Sequence, residues 1–386
     1  MRFIPAIFFL KLTMKKIKVL HCLETVASGG VERRHLSIVR KLCPEQYEHK
    51  VICSKATGPV KEELERLGCE VIAVGQSRSL FDFPRYMKAI TVTREFRPDI
   101  IHGAVYEGVT MAVLAGRLCK VPVVVGEETS CPINRSFKST LLYGFLACLT
   151  DKMIAVSPAV ENYLIDRVKL RKNKVKLIMN GVEIRKKPSK KDVDQLRVHF
   201  GLSEDDYIIG TVGRLFDIKK RVSDIIYAMP GILNQVSNAK LLIVGDGPDI
   251  VELKGLSERL GVSGNVIFAG YQANTAPYYA LMDVFVLASC SEAFGLVLAE
   301  AMLFSLPVIA TRVGGVPYVV VDGVSGSLID PCSVSQIENE VVNFSKDRER
   351  MKEMGDAGLL RAKEHFTESV YVTKVENLYS ELLVSV

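Results

Sequence analysis

Two glutamates, Glu292 and Glu300, stand on either side of a Phe-Gly step in the stretch Ser291-Glu292-Ala293-Phe294-Gly295-Leu296-Val297-Leu298-Ala299-Glu300-Ala301-Met302. The apolar run before it reads as a strand that feeds a turn carrying Glu292. A helix is expected to begin near Gly295, with Glu300 about one and a half turns in. A strand-to-helix turn of this kind offers free backbone N–H groups and the positive end of a helix dipole to an anion. The two carboxylates flank that pocket and accept hydrogen bonds from hydroxyl groups. An anion bordered by polyols is the chemistry of a sugar nucleotide.

The elements that must hold these residues alternate along the chain. In the first half, apolar runs at 17–23, 50–53, 70–74, 100–102, 121–126 and 153–156 are predicted as strands. Helical patterns follow them at 31–43, 60–67, 83–96, 108–118, 139–149 and 158–164. The second half repeats the scheme, with strands predicted at 207–212, 240–244, 266–269, 284–287, 307–310 and 326–328. Apolar strands without alternation, separated by helices, imply parallel sheets buried on both faces. The fold class is therefore α/β, two Rossmann-like parallel-sheet domains facing across a cleft. Ligands of open parallel sheets sit beyond the carboxyl ends of the strands, so the cleft is the expected site.

Bulk properties agree with two domains. At 386 residues the chain exceeds the size at which single cores stop growing. Its nine cysteines form no Cys-x-x-Cys pair, and an odd number argues against a disulfide framework. The reading is a reducing cytoplasm and no structural zinc. The apolar segment 3–10 is too short to span a bilayer and contains Pro5. No small-residue cleavage site follows it. We read 1–13 as an N-terminal extension, 14–185 as a first Rossmann-like domain and 186–368 as a second, joined by the polar run 184–194. A final helix over 369–386 is expected to cross back to the first domain.

Charge divides the chain at the same place. Residues 1–190 hold 33 Lys and Arg against 18 Asp and Glu, whereas 191–386 hold 17 against 26. The first half thus carries a net +15 and the second −9. At about 1 kcal/mol per basic residue near an anionic leaflet, peripheral binding to a membrane surface is expected, with a solvated basic surface as the alternative. Nucleic acid is not expected as a partner, because no aromatic-interleaved basic motif accompanies the charge.

Six landmarks occur in order: Ser28-Gly29-Gly30-Val31-Glu32-Arg33; Asn180-Gly181-Val182; Gly213-Arg214-Leu215 followed by Lys219; Val244-Gly245-Asp246-Gly247-Pro248; the double-glutamate stretch; and Thr311-Arg312-Val313-Gly314-Gly315-Val316-Pro317. With these, the chain from about Met14 to its end resembles the retaining glycosyltransferases of family 4, the glycosyl transferases group 1, which have the GT-B fold.

The resemblance, together with the chemistry of the residues, assigns roles. Arg214 and Lys219, just past a strand end, are placed to neutralise a nucleotide diphosphate. Charge develops on that leaving group as the sugar–phosphate bond breaks, so these cations favour the transition state over the ground state. A surface basic run is the alternative, since Lys219-Lys220-Arg221 continues it, and Lys220 stands where relatives usually have glycine. Glu300 is expected to accept from the ribose hydroxyls and Glu292 to contact the donor sugar. The amides of Phe294, Gly295 and Leu296 would serve sugar hydroxyls or phosphate. Gly245, Gly270 and Tyr271 resemble the edge that holds the base, although Tyr271 is equally readable as an ordinary core or surface tyrosine. Gly29 and Gly30 let the first-domain backbone approach the ligand. They do not form Gly-x-Gly-x-x-Gly, which weighs against an oxidoreductase.

The first domain departs from the family pattern. Relatives place a histidine after the strand predicted at 121–126, where this chain has Thr129. Glu128 or Glu127 is then the candidate to contact sugar or acceptor. His102 is a second candidate, with a buried, hydrogen-bonded imidazole as the alternative. Tyr318 replaces a usual glutamate.

Metal use is not expected. Asp192-Val193-Asp194 matches a short acidic pattern only by letter and lies in the polar run. The family implies front-face transfer in which a donor phosphate oxygen helps to deprotonate the acceptor, with the nucleotide sugar a co-substrate and no cofactor. The expectation is a cytoplasmic, peripherally membrane-bound transferase. It would move a sugar, from a UDP-sugar by family frequency, to a lipid-linked or membrane-surface glycan acceptor in polysaccharide or lipopolysaccharide assembly. The alternatives are a sugar-nucleotide 2-epimerase of the same fold and a non-catalytic sugar-nucleotide or lipid-binding protein.

Overall fold

The computed structural model describes residues 15–75, 83–132 and 135–385. The extension 1–13 lies outside the described residues. The first sheet contains β1 (Ile17–Val26), β2 (Tyr47–Ala56), β3 (Glu70–Ala73), β4 (Ile100–Ala104), β5 (Val123–Glu128), β6 (Lys152–Ala155) and β7 (Val175–Leu177). Its order is β3-β2-β1-β4-β5-β6-β7, parallel throughout. The second contains β8 (Tyr207–Val212), β9 (Ala239–Val244), β10 (Val266–Gly270), β11 (Val284–Leu287), β12 (Val308–Thr311) and β13 (Ser327–Ile329). It runs β10-β9-β8-β11-β12-β13, again all parallel. This is the two-domain GT-B architecture expected from the apolar runs. Central strands β4, β5, β8 and β11 are buried along their whole length, which is why they carry no polar alternation.

Two differences from the sequence reading are instructive. Strand β7 was not anticipated. It sits on the sheet edge beside β6 and begins inside the basic stretch 167–176, so charge masked a short strand. The polar run 184–194 does not stay extended either. Ser189 caps a helix Lys190–His199 through a reciprocal bond pair with Asp192, whose carboxylate accepts from the Ser189 amide at 2.9 Å and hydroxyl at 2.7 Å. The Asp192 carboxylate therefore belongs to a helix cap.

The two sheets are wired together at one place. The Val182 amide donates to the Phe366 carbonyl and the Glu368 amide to the Val182 carbonyl, both at 2.8 Å, so both passages between the domains run side by side. The terminal helix Glu368–Val384 then lies on the first domain. Its Tyr371, Val375, Leu378 and Tyr379 join one buried cluster with Val19, Ile38, Ile100 and Val123. Its start is tied to the helix Gly30–Lys41 by Ser37 (3.0 Å), Arg40 (3.4 Å) and Lys41 (3.1 Å) on the Glu368 carboxylate.

Candidate functional site

In each sheet the strand order reverses direction once, between β1 and β4 and between β8 and β11. Neighbouring connections there leave to opposite faces and open a crevice at the strand ends. Gly29-Gly30 follow β1, Gly213-Arg214 follow β8, and the double-glutamate stretch follows β11. Both reversal points thus feed one cleft, and a cavity of about 720 Å³ lies between them. From the second domain it is lined by Arg214, Lys220, Gly245, Asp246, Tyr271, Glu292, Phe294, Gly295, Leu296 and Glu300, and from the first by Gly29, Gly30, Arg33, Arg34, Thr129 and Asn180.

Backbone geometry explains the glutamate turn. Gly295 caps the helix Leu296–Leu303 at φ 92°, a left-handed conformation that glycine adopts without steric cost. Leu298 and Ala299 are the first residues whose amides return to the Gly295 carbonyl. The amides before them precede any intrahelical acceptor and belong to the cavity end of the helix. Behind the turn, Gly314 at φ 51° allows the next loop to press in: a Cβ there would lie 1.9 Å from the Glu292 carbonyl oxygen. The Gly314-Gly315 pair is thus the backing against which Glu292 is held.

The carboxylates have different partners. Glu300 accepts from the Tyr279 hydroxyl at 2.9 Å and lines the cavity. Glu292 pairs with Lys220 Nζ at 2.6 Å. Lys220 rather than Lys219 is therefore the lysine of the cleft. The helix Asp217–Lys220 is a single turn, and consecutive residues on a turn point about 100° apart. Lys219 is exposed and does not line the cavity, while Lys220 does.

Not every residue singled out in the sequence reaches the cavity. Gly270 does not line it. At φ 67° it ends β10 at a register shift and accepts from the Gly245 amide at 2.8 Å, holding the turn that does line it. Tyr271 is half exposed at the cavity edge.

His102 and Glu128 are both buried and neither lines the cavity, because the first sheet is covered on both faces. His102 Nδ1 lies 2.7 Å from the Tyr379 hydroxyl of the terminal helix. Glu128 accepts from the Thr129 amide, the Ser130 amide and the Ser130 hydroxyl, each at 3.0 Å, and so shapes the turn that puts Thr129 into the cavity.

A residue not singled out in the sequence proves central. Arg34, a cavity-lining residue, donates to Asn180 Oδ1 at 2.5 Å and to Glu127 Oε1 at 2.6 Å, fully enclosed. Burial alone would push the Glu127 carboxyl up, but Arg34, then His102 and Tyr371, hold it below its ordinary range. Nearby, His21 Nδ1 meets His35 Nδ1 at 2.9 Å and His21 Nε2 meets His49 Nδ1 at 3.1 Å. Burial first, and the neighbouring imidazoles second, keep His21 well below the ordinary histidine range, and burial pushes His49 down to about 4. The only sequence signal for Arg34 was the Arg33-Arg34 pair, which reads as surface charge.

The domains touch across the cleft. A Cβ on Gly30 would stand 2.5 Å from Leu296 Cδ1, so the first domain's glycine loop rests on the helix that carries Glu300.

Comparison with known proteins places this geometry. The Glycosyltransferase Family 4 model matches residues 28–186 and the Glycosyl transferases group 1 model matches 192–361. The chain is 28% identical to N-acetyl-alpha-D-glucosaminyl L-malate synthase of Bacillus anthracis, over 95% of this chain and 98% of that one. It is 24% identical to UDP-Gal:alpha-D-GlcNAc-diphosphoundecaprenol alpha-1,3-galactosyltransferase of Escherichia coli, over 97% and 100%. Among solved structures, Anabaena Alr3699/HepE in complex with UDP-glucose superposes with a TM-score of 0.84 at 24% identity, covering 96% of this chain and 100% of that one.

Proposed function

We propose, from the premise that this chain belongs to the family 4, group 1 glycosyltransferases, that it moves a sugar from a UDP-sugar, with retention, to a lipid-linked or membrane-surface glycan acceptor in polysaccharide or lipopolysaccharide assembly. The observation that carries the reading is the cavity itself, where cations, a helix N-terminus and two carboxylates converge between the two sheet reversals.

The donor half follows from those groups. Arg214 and Lys220 face the diphosphate, and the amides at the start of the helix Leu296–Leu303 add partial positive charge. Glu300, fixed by Tyr279, takes the ribose hydroxyls, and Glu292 takes the sugar. The bond from the anomeric carbon to the phosphate oxygen breaks, and its electron pair leaves with the diphosphate. The acceptor oxygen bonds to the same face of the sugar while its proton passes to a departing phosphate oxygen. The resident cations carry the charge that a divalent metal would otherwise neutralise, so transfer is expected to survive EDTA. The B. anthracis and E. coli relatives are named for N-acetylglucosaminyl transfer to malate and for galactosyl transfer from a uridine donor to a diphosphoundecaprenol-linked sugar, which supports a nucleotide-sugar donor here.

A labelled UDP-sugar panel incubated with membrane lipid extract tests the reading. Labelled lipid with free UDP is expected. An altered sugar nucleotide without acceptor would instead indicate epimerisation, and binding without turnover a non-catalytic protein. One observation favours a second acceptor class. A cavity of about 420 Å³ beside the first is lined by Arg33, Arg40, Arg185 and Lys186 as well as Glu63, Glu183 and Glu300. Arg40 is taken up by Glu63 and Glu183, and Arg33, Arg185 and Lys186 are the cations suited to a small carboxylate such as malate. Parallel incubation with L-malate decides between the two.

A further inference from the structure

The helix Phe137–Cys148 is apolar on both faces. Tyr143, Leu146 and Ala147 are buried against the first domain, whereas Phe137 is 81% exposed, Leu141 67% and Phe145 64%. Those three recur every fourth position and form one stripe, widened by exposed Leu142 and Leu149. A helix of a water-surrounded domain ordinarily turns a polar face outward, and a concentrated exposed apolar face marks an interaction site.

We infer that this outer face docks the first domain onto an anionic lipid bilayer. Charge selects that occupant. From Thr129 to Thr150 the chain contains no acidic residue, and the face carries exposed Lys138. At the other end of the helix, exposed Arg117 donates to the Leu149 carbonyl at 2.7 Å and pairs with Asp151, with exposed Lys120 nearby in sequence. Apolar side chains with Lys138, unpaired among the described residues, at one end and Lys120 beside the Asp151-paired Arg117 at the other match an interface of acyl chains under anionic headgroups. Among the described residues no helix is long and apolar enough to cross a membrane, so the contact is one of lying on the surface. The position is apt as well. Helix Phe137–Cys148 follows β5 and starts eight residues after Thr129, which lines the cavity.

The inference rests on the lipid-acceptor reading, and vesicles can test the two apart. The chain contains no tryptophan, so Phe145→Trp is a single reporter. Its emission should shift to the blue on adding vesicles of phosphatidylcholine with anionic phosphatidylglycerol. In flotation, the triple variant Phe137→Ser, Leu141→Ser, Phe145→Ser should partition about a hundredfold less than the unmodified protein. High salt should weaken the unmodified protein several-fold without abolishing binding, since the apolar part is not screened. An unchanged melting temperature and unchanged UDP binding show that the triple variant is folded. Equal flotation of variant and unmodified protein overturns the inference while leaving membrane association intact. No flotation of either, with transfer still seen on detergent-solubilised lipid, overturns it while the acceptor reading stands. A solution dimer dissolved by the same substitutions also overturns it, in favour of a second copy of the chain.

Discussion

The two halves of the cleft handle their polar groups in opposite ways. On the second-domain side, Arg214, Lys220, Glu292 and Glu300 all line the cavity. On the first-domain side the ionisable groups of β4 and β5 turn inward, where Glu127 meets Arg34 and Tyr371 and His102 meets Tyr379. What this side offers the cavity is backbone at Gly29-Gly30, together with Arg33, Arg34, Thr129 and Asn180. One half keeps its carboxylates in the cavity, and the other locks its own inward behind a stiff wall. A donor with a fixed diphosphate suits the first arrangement, and an acceptor seated against that wall suits the second.

The contrast can be broken most forcefully at Arg34. Arg34→Met leaves Glu127 buried without its cation, and breaking such a pair costs about 3–5 kcal/mol. A melting temperature within 2 °C of the original, by about the scale expected for such a domain, would show that the first-domain network is not structural. Next comes the donor side, where Arg214→Ala should lower kcat by about a hundredfold or more, as for loss of one transition-state charge contact. Lys220→Ala should follow it, whereas Lys219→Ala should remain near the parent. Steady-state kinetics showing the reverse order for the two lysines would restore Lys219 to the site. Glu300→Ala should weaken UDP binding by about tenfold to a hundredfold, the worth of a hydrogen bond to a charged group, and calorimetric titration measures it.

The smallest effect is one of pH. His21, His35 and His49, desolvated by burial, refuse a proton that the unfolded chain accepts near its ordinary value of about 6.5. The unfolded state therefore binds more protons, and stability present above that value is lost as the pH falls towards about 4, where burial has pushed His49. Glu127, held low in the fold, adds a loss in the same direction at still lower pH. Scanning calorimetry at pH 7 and pH 5 should show a clear fall in melting temperature, and a flat profile would mean that the histidines are not enclosed.

Much of this was legible in the sequence. Parallel strands buried on both faces announce themselves as unbroken apolar runs, so β8, β9 and β11 fall where the runs place them. The glutamate stretch was readable because its chemistry is local, a strand end, a turn glycine and a helix start within a dozen residues. Lys219 and Lys220 could not be separated, because adjacent residues on a one-turn helix differ only by rotation. Nor could Arg34, Glu127 and Tyr371 be joined, since they are partners from distant parts of the chain and each reads alone as a solvated charge or an ordinary core residue. His102 looked like a site residue because the apolar run stops there, but β4 continues to Ala104 and leaves His102 in mid-strand. Tyr379, arriving from the far end of the chain, meets it there.

That arrival has a consequence for how the protein comes into being. Tyr371, Val375 and Tyr379 complete a cluster whose other members include Val19 and Ile38. On the ribosome the first domain is translated first, yet it lacks a wall of its interior until the helix Glu368–Val384 has followed the whole second sheet. The second sheet has all its strands before that helix is made. Synthesis and completion thus run in opposite order, and a frameshift just after the second sheet would injure the first domain.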